Sequence, residues 1–220
     1  YQWVKPPEWV DVLMVAPKAP GRRVRELYLD NFGTPALVAV EQDFTNNALN
    51  RALAIAKGLG CARAGLLQTT FKEEVETDLF GEQADLCGGA ASLIQNAFET
   101  LVNRGYQPEI AYFECLHELK LIVDLVQQYG LKGMYQRVSE TARYGGLTRG
   151  DRVINKSSRD EMEKILDEIQ SGQFAEEWRN IYNKEGKQSF DKYLDEIASH
   201  QIESTGKKLR DMMWPNKTNE

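Results

Sequence analysis

The sequence predicts an α/β domain followed by an all-helical domain, and three observations carry that reading. Strand-like and helix-like stretches alternate up to residue 69. Strand signals then stop after Thr70. Beyond that point apolar residues recur at helical spacing almost to the end of the chain. We therefore expect a domain of residues 1–69, a second of residues 70–220, and the chemistry where the two meet.

The elements follow in order. Val10 to Ala16 is a β-branched, apolar run that ends at Pro17. Ala36 to Val40 is a second such run, and Ala64 to Leu67 a weaker third. A helix over Arg22 to Asp30 separates the first two. Another over Asn47 to Lys57 separates the last two, with Ala48, Leu49, Ala52, Leu53 and Ala56 on one face and Gly58 and Gly60 where it stops. Such alternation predicts βαβ units and a parallel sheet. Lys72 to Asn103 reads as helix, interrupted near Gly88-Gly89. Pro108 to Tyr129 reads as one long helix, with Pro at its start and Gly130 past its end. It is apolar nearly all round, through Ile110, Phe113, Leu116, Leu119, Ile122, Val123, Leu125 and Val126, which predicts a place in the middle of a core. Ser158 to Glu168 opens a further helix, and others run through Trp178, Tyr182, Phe190, Tyr193, Leu194 and Ile197. The residues from about Pro215 are polar and are expected to be loose.

Composition narrows the function classes. A chain of 220 residues with net charge -6 can bury a real core but has no general attraction for nucleic acid or an anionic membrane. No apolar run is long enough to span a bilayer. Cys61, Cys87 and Cys115 are odd in number and far apart, without a CxxC, and read as buried free thiols. The chain begins at Tyr1 in polar sequence just ahead of a strand-like run, so we expect further residues to precede it, along with any targeting signal.

Two acidic pairs carry the most chemistry. Asp78 and Glu82 stand at i, i+4, and so do Glu114 and Glu118. At about 3.6 residues per turn each pair shares a helical face. An ordinary pair of this kind is a solvated stripe whose charges repel weakly. Glu114 and Glu118, however, interrupt the most apolar helix of the chain. Buried carboxylates there would cost several kcal/mol without a cation, and a hard divalent ion such as Mg²⁺ is a natural one. Glu114-x-x-His117 also matches half of a di-iron bundle motif, but the other histidine, His200, has Ile197 three residues before it, so the second half is missing. His117 then reads as a structural or supporting residue.

Pro17-Lys18-Ala19-Pro20-Gly21 follows the first strand, the position of a ligand crevice in an α/β sheet. Lys18 could bring charge there and Gly21 a close backbone approach; a plain solvated loop is the bland alternative. Gly58-Leu59-Gly60 begins like a dinucleotide fingerprint but ends a helix and has Arg63 at the third glycine position, so it reads as a turn. Ser139 to Gly146 is a polar stretch that on residues alone reads as a helix terminus and loop.

Several of these blocks resemble the ketol-acid reductoisomerases. They are Val15-Ala16-Pro17-Lys18, Pro20-Gly21, Thr77 to Gln83, Leu86 to Gly89, Gly105 to Glu109 and Ala111 to Ile122. The resemblance implies the C-terminal part of a Rossmann-like NADPH-binding domain followed by a knotted, interlocking helical domain, as in the short-chain class. It implies an NADP-dependent oxidoreductase and isomerase of branched-chain amino-acid biosynthesis. Such an enzyme converts 2-acetolactate or 2-aceto-2-hydroxybutyrate to dihydroxy acids by alkyl migration and reduction, with two Mg²⁺ per site and NADPH. By the same resemblance Asp78, Glu82, Glu114 and Glu118 are metal ligands, Lys18 an active-site lysine, Gly21 a cofactor contact and Ser139 a substrate contact. It further implies a cytoplasmic homodimer or higher oligomer whose metal sites take one carboxylate pair from each subunit.

The resemblance also puts the family's glycine-rich phosphate loop and catalytic histidine ahead of Tyr1. Gln68 and Arg143 stand where it leads one to expect acids, and Asp85 where it leads one to expect an apolar residue. The competing reading is a non-catalytic helical oligomerisation module derived from such an enzyme.

Overall fold

The computed structural model describes residues 4–215. The chain divides between Leu79 and Phe80 into two compact units. The expected loose tail lies mostly outside the described residues.

The first unit holds a three-stranded sheet in the order β1-β2-β3, with β1 Val12–Pro17, β2 Ala36–Gln42 and β3 Leu66–Gln68. Two helices, α1 Gly21–Leu29 and α2 Ala48–Gly58, connect the strands. The expected parallel sheet needs a correction. β2 and β3 are parallel, with Ala36 opposite Leu66 and Val38 opposite Gln68. β1 and β2 are antiparallel, from Val12 opposite Gln42 to Pro17 opposite Ala36. A parallel crossover must lay its helix on the sheet. α2 does so, burying Ala48, Ala52 and Ala56. α1 buries none of its residues, so the chain simply returns alongside β1. The core gathers Ala36, Val38, Ala52, Ala56 and Cys61, with Leu13, Val15 and Leu66 packed against them.

Helix α3, Phe71–Gly81, lies in the first unit as far as Leu79 and runs into a five-residue π-helical turn, Glu82–Leu86. The second unit continues with α4 Gly88–Val102 and α5 Pro108–Tyr112. A second π turn, Phe113–His117, leads into α6 Glu118–Tyr135. Then follow α7 Glu140–Val153, α8 Lys156–Ser171, α9 Gln173–Glu185, α10 Asp191–Ser199 and α11 Gln201–Met213. The core joins α4, α5 and α11 through Phe98, Ala111, Tyr112, Ile202 and Leu209. Gly206 lets α11 approach closely, because a Cβ there would meet the Tyr112 ring at 2.6 Å. His200 caps α11 by accepting the Ile202 N–H at its Nδ1, while its Nε2 lies 2.8 Å from Glu99 Oε1.

Two further expectations change here. The predicted helix from Pro108 to Tyr129 is cut by the second π turn, and α6 breaks at Gly130, whose φ of 70° and ψ of 173° suit glycine. Nor is α6 a core helix within this chain: Leu121, Val123 and Leu131 are 51%, 53% and 67% exposed. The expectation of buried cysteines holds for Cys61 alone, since Cys115 is half-buried and Cys87 exposed; all three are free thiols.

Candidate functional site

The first unit brings a lysine to an acidic helix. The Lys18 N–H donates to Pro35 O at 2.8 Å, which fixes the loop after β1 against the start of β2. α3 begins where Thr70 Oγ1 accepts the Glu73 N–H. One and two turns on, Glu74 and Asp78 present their carboxylates on one face. Lys18 Nζ donates to Asp78 Oδ1 at 2.5 Å and to Glu74 Oε1 at 3.1 Å. Glu74 is buried at 8% exposure, so Lys18 supplies the charge that such a position demands. Burial works against the ammonium of Lys18. The hydrogen bonds to Asp78 and Glu74, and their charges, outweigh it and hold its pKa above the ordinary lysine value.

Glu74 was absent from the residues singled out above. The signal was present in the sequence: Glu74, Asp78 and Glu82 continue one i, i+4 series. Gly21 stands at the first turn of α1, with open space where a Cβ would lie.

The second unit holds the other acids. Glu82 opens the first π turn, which closes through Cys87 N–H to Glu82 O at 3.0 Å, an i to i+5 bond. Glycines make this turn possible. A Cβ on Gly88 would lie 2.2 Å from Gln83 O, and one on Gly89 2.1 Å from Ala84 O. Glu114 lies inside the second π turn, which closes through the Glu118 N–H to Phe113 O. Each acidic pair therefore straddles the junction of an α turn and a π turn, a feature that recurs at functional sites. Glu82, Glu114 and Glu118 are exposed. This corrects the expectation that Glu114 and Glu118 are buried, and follows from the exposure of α6. His117 packs edge-on against Phe113 at 5.5 Å between ring centroids, in keeping with a structural role.

Ser139 caps the N-terminus of α7. Its Oγ accepts the Ala142 N–H at 3.2 Å and lies 3.1 Å from Thr141 Oγ1. Arg143 donates from Nε to Tyr135 O at 2.7 Å, so this departure from the resemblance has a partner within the chain. Asp85 lies exposed in the first π turn, and Gln68 ends β3, exposed.

Among the described residues no three His, Cys, Asp or Glu side chains are gathered into a group that could hold a metal ion. The donors at Asp78, Glu82, Glu114 and Glu118 are nevertheless all carboxylate oxygens, three of them on exposed side chains, and that chemistry fits a hard divalent cation.

Comparison with known proteins covers both parts of the chain. Residues 71–214 match the family described as ketol-acid reductoisomerase, C-terminal domain. Residues 1–65 match acetohydroxy acid isomeroreductase, NADPH-binding domain. A ketol-acid reductoisomerase (NADP(+)) of Nitrosopumilus maritimus (strain SCM1) is 64% identical over 218 residues, which is 99% of this chain and 66% of that protein. One from Methanopyrus kandleri is 59% identical over 213 residues, 97% of this chain and 64% of that protein. This chain thus spans just under two thirds of those relatives. A solved structure, an NADH-preferring ketol-acid reductoisomerase from an uncultured archean, superposes with a TM-score of 0.91 at 46% identity, over 94% of this chain and 62% of that one.

Proposed function

The chain belongs to the ketol-acid reductoisomerase family, and from that premise we propose that it carries the metal- and substrate-binding part of an NADP-dependent enzyme. The enzyme turns 2-acetolactate and 2-aceto-2-hydroxybutyrate into dihydroxy acids of branched-chain amino-acid synthesis. The observation that carries the reading is the junction of Lys18 with Asp78 and Glu74. The lysine of the loop after β1 there meets an acid of the proposed metal-ligand series.

Asp78 and Glu82 would hold two Mg²⁺ ions together with Glu114 and Glu118 of a second copy. Bound Mg²⁺ supplies polarisation of the substrate ketone and offsets charge that builds on its neighbouring oxygen. NADPH supplies the reducing equivalent. The chain's own residues do the rest. Lys18 keeps the Asp78 carboxylate directed and brings a positive charge beside the proposed metal ligands. Glu74, buried beside it, keeps the lysine charged and in place. Ser139 offers a hydroxyl to a substrate oxygen, and Gly21 leaves room for the cofactor.

The exposed apolar residues of α6 support a homodimer or higher oligomer with shared sites, since a helix that is apolar nearly all round is ordinarily covered. No helix among the described residues is long and apolar enough to cross a membrane, and we propose a cytoplasmic location. The test is turnover of 2-acetolactate with NADPH and Mg²⁺ by the intact protein that carries this chain. Turnover lost in Asp78→Asn supports the reading. Tight dimerisation without turnover or Mg²⁺ binding would mark a non-catalytic module instead.

A further inference from the structure

α6 leaves helical geometry at Gly130, resumes, and ends at Tyr135. Carbonyls at such an end lack intrahelical partners. Two arginines supply them. Arg137 Nη1 donates to Gly133 O at 3.0 Å, with its guanidinium 3.6 Å above the Tyr129 ring. Arg143 reaches back from α7 and donates from Nε to Tyr135 O at 2.7 Å, in a half-buried position. The backbone N–H of the same Arg143 donates to Ser139 O at 2.9 Å. One residue is therefore bonded to both ends of the turn that presents Ser139. One turn further on, α7 again touches the end of α6: a Cβ on Gly146 would come within 3.0 Å of Tyr135 Cε1 and 3.1 Å of its hydroxyl.

We propose that Arg143 is a positioning residue that fixes the Ser139 hydroxyl relative to the end of α6 for contact with a substrate oxygen. The proposal rests on the reading of Ser139 as a substrate contact. The Ser139 hydroxyl accepts the Ala142 N–H and stands beside Thr141 Oγ1. A hydroxyl has one proton and two acceptor sites. When both acceptor sites are filled by Ala142 and Thr141, the proton is free for donation to substrate. That arrangement holds only while the first turn of α7 stays where Arg143 ties it. Arginine suits the task because its planar guanidinium is always charged and loses little freedom per bond formed.

The experiment is a double-variant cycle in the intact protein, with 2-acetolactate, NADPH and Mg²⁺, at a temperature where all variants are folded. Ser139→Gly removes the hydroxyl with little loss of capping. We expect Arg143→Met to raise KM about tenfold with kcat changed less than about twofold, and Arg143→Lys to recover most of the loss. In the Ser139→Gly background Arg143→Met should add less than about twofold to KM. Amide exchange at Ala142 should quicken in Arg143→Met, and it is read without any turnover. An Arg143→Met effect on KM of equal size in both backgrounds would overturn the proposal. So would a lowered Tm with KM unchanged, which would leave Arg143 a structural tie only. If Arg143→Met does not fold, Arg143→Gln takes its place in the same cycle. Should Ser139→Gly alone leave KM and kcat untouched, the substrate reading of Ser139 fails, and this separate outcome removes the proposal's basis.

Discussion

Lys18 Nζ stands 2.5 Å from Asp78 Oδ1, across 60 residues of sequence. The loop after a strand and the third turn of a helix are thereby fixed to each other by charge. Glu74 completes the arrangement from the buried side.

Lys18→Met removes the only cation that hydrogen-bonds this pair of acids among the described residues. We expect turnover to fall about 100-fold or more, the scale for losing a charge directed at a reacting centre. Lys18→Arg should recover only part of it, because a planar fork replaces a compact ammonium. Steady-state kinetics on purified folded variants checks both. The linked stability effect lies at alkaline pH. The folded pKa of Lys18 is raised above the ordinary 10.5. Its contribution is therefore complete below the unfolded value and is lost as pH climbs through the higher folded one. Denaturation curves taken as pH rises past 10.5 should show that loss in wild type and not in Lys18→Met.

An acid limb belongs to Asp11. Its carboxylate accepts the Thr45 hydroxyl at 2.7 Å and the Thr45 N–H at 2.9 Å, and pairs with Arg51 at 2.6 Å. These bonds, those to Thr45 first, hold its pKa below the ordinary 3.8. The stabilisation is present above the unfolded value and disappears as pH falls through the folded one. Asp11→Asn should flatten that part of the acid unfolding curve. An unchanged acid limb would remove the role assigned to the Asp11 carboxylate.

Gly88→Ala and Gly89→Ala place a Cβ near 2.1–2.2 Å from backbone carbonyls of the first π turn. Backbone must shift, at about 1–3 kcal/mol, the usual scale for overpacking. The expected fall in Tm is about 2–10 °C. Because Glu82 opens that turn, the same variants should weaken the response to Mg²⁺. Thermal melts with and without the ion measure both effects.

Val123→Lys puts a charge on the exposed apolar surface of α6. If a second copy covers that face, the dimer dissociation constant should rise at least about tenfold. Sedimentation of wild type and variant decides it, and an unchanged assembly would separate α6 from the dimer interface.

Much of this was legible from residue patterns, for particular reasons. β2, α2 and β3 were readable because short apolar runs flank an alanine face that the sheet buries. The direction of β1 was not, since it depends on whether α1 packs on the sheet, and α1 buries nothing. Gly88-Gly89 signalled an interruption, but periodicity does not encode the extra residue of a π turn. The second π turn has no such glycines, and Glu114 therefore looked like part of one regular helix. The exposure of α6 was hidden for another reason: its apolar sequence is the same whether the covering partner comes from this chain or another. Glu74 lay in plain view at helical spacing, yet only the approach of Lys18 gives it a role.

The most direct test of the central claim is the Mg²⁺-dependent thermal shift of wild type against the Asp78→Asn, Glu118→Gln double variant. At a concentration about 100 times its dissociation constant, a ligand of the folded state adds about 2.7 kcal/mol. The account predicts a clear rise in Tm for wild type and none for the double variant. No rise in wild type, or the same rise in both, would contradict it.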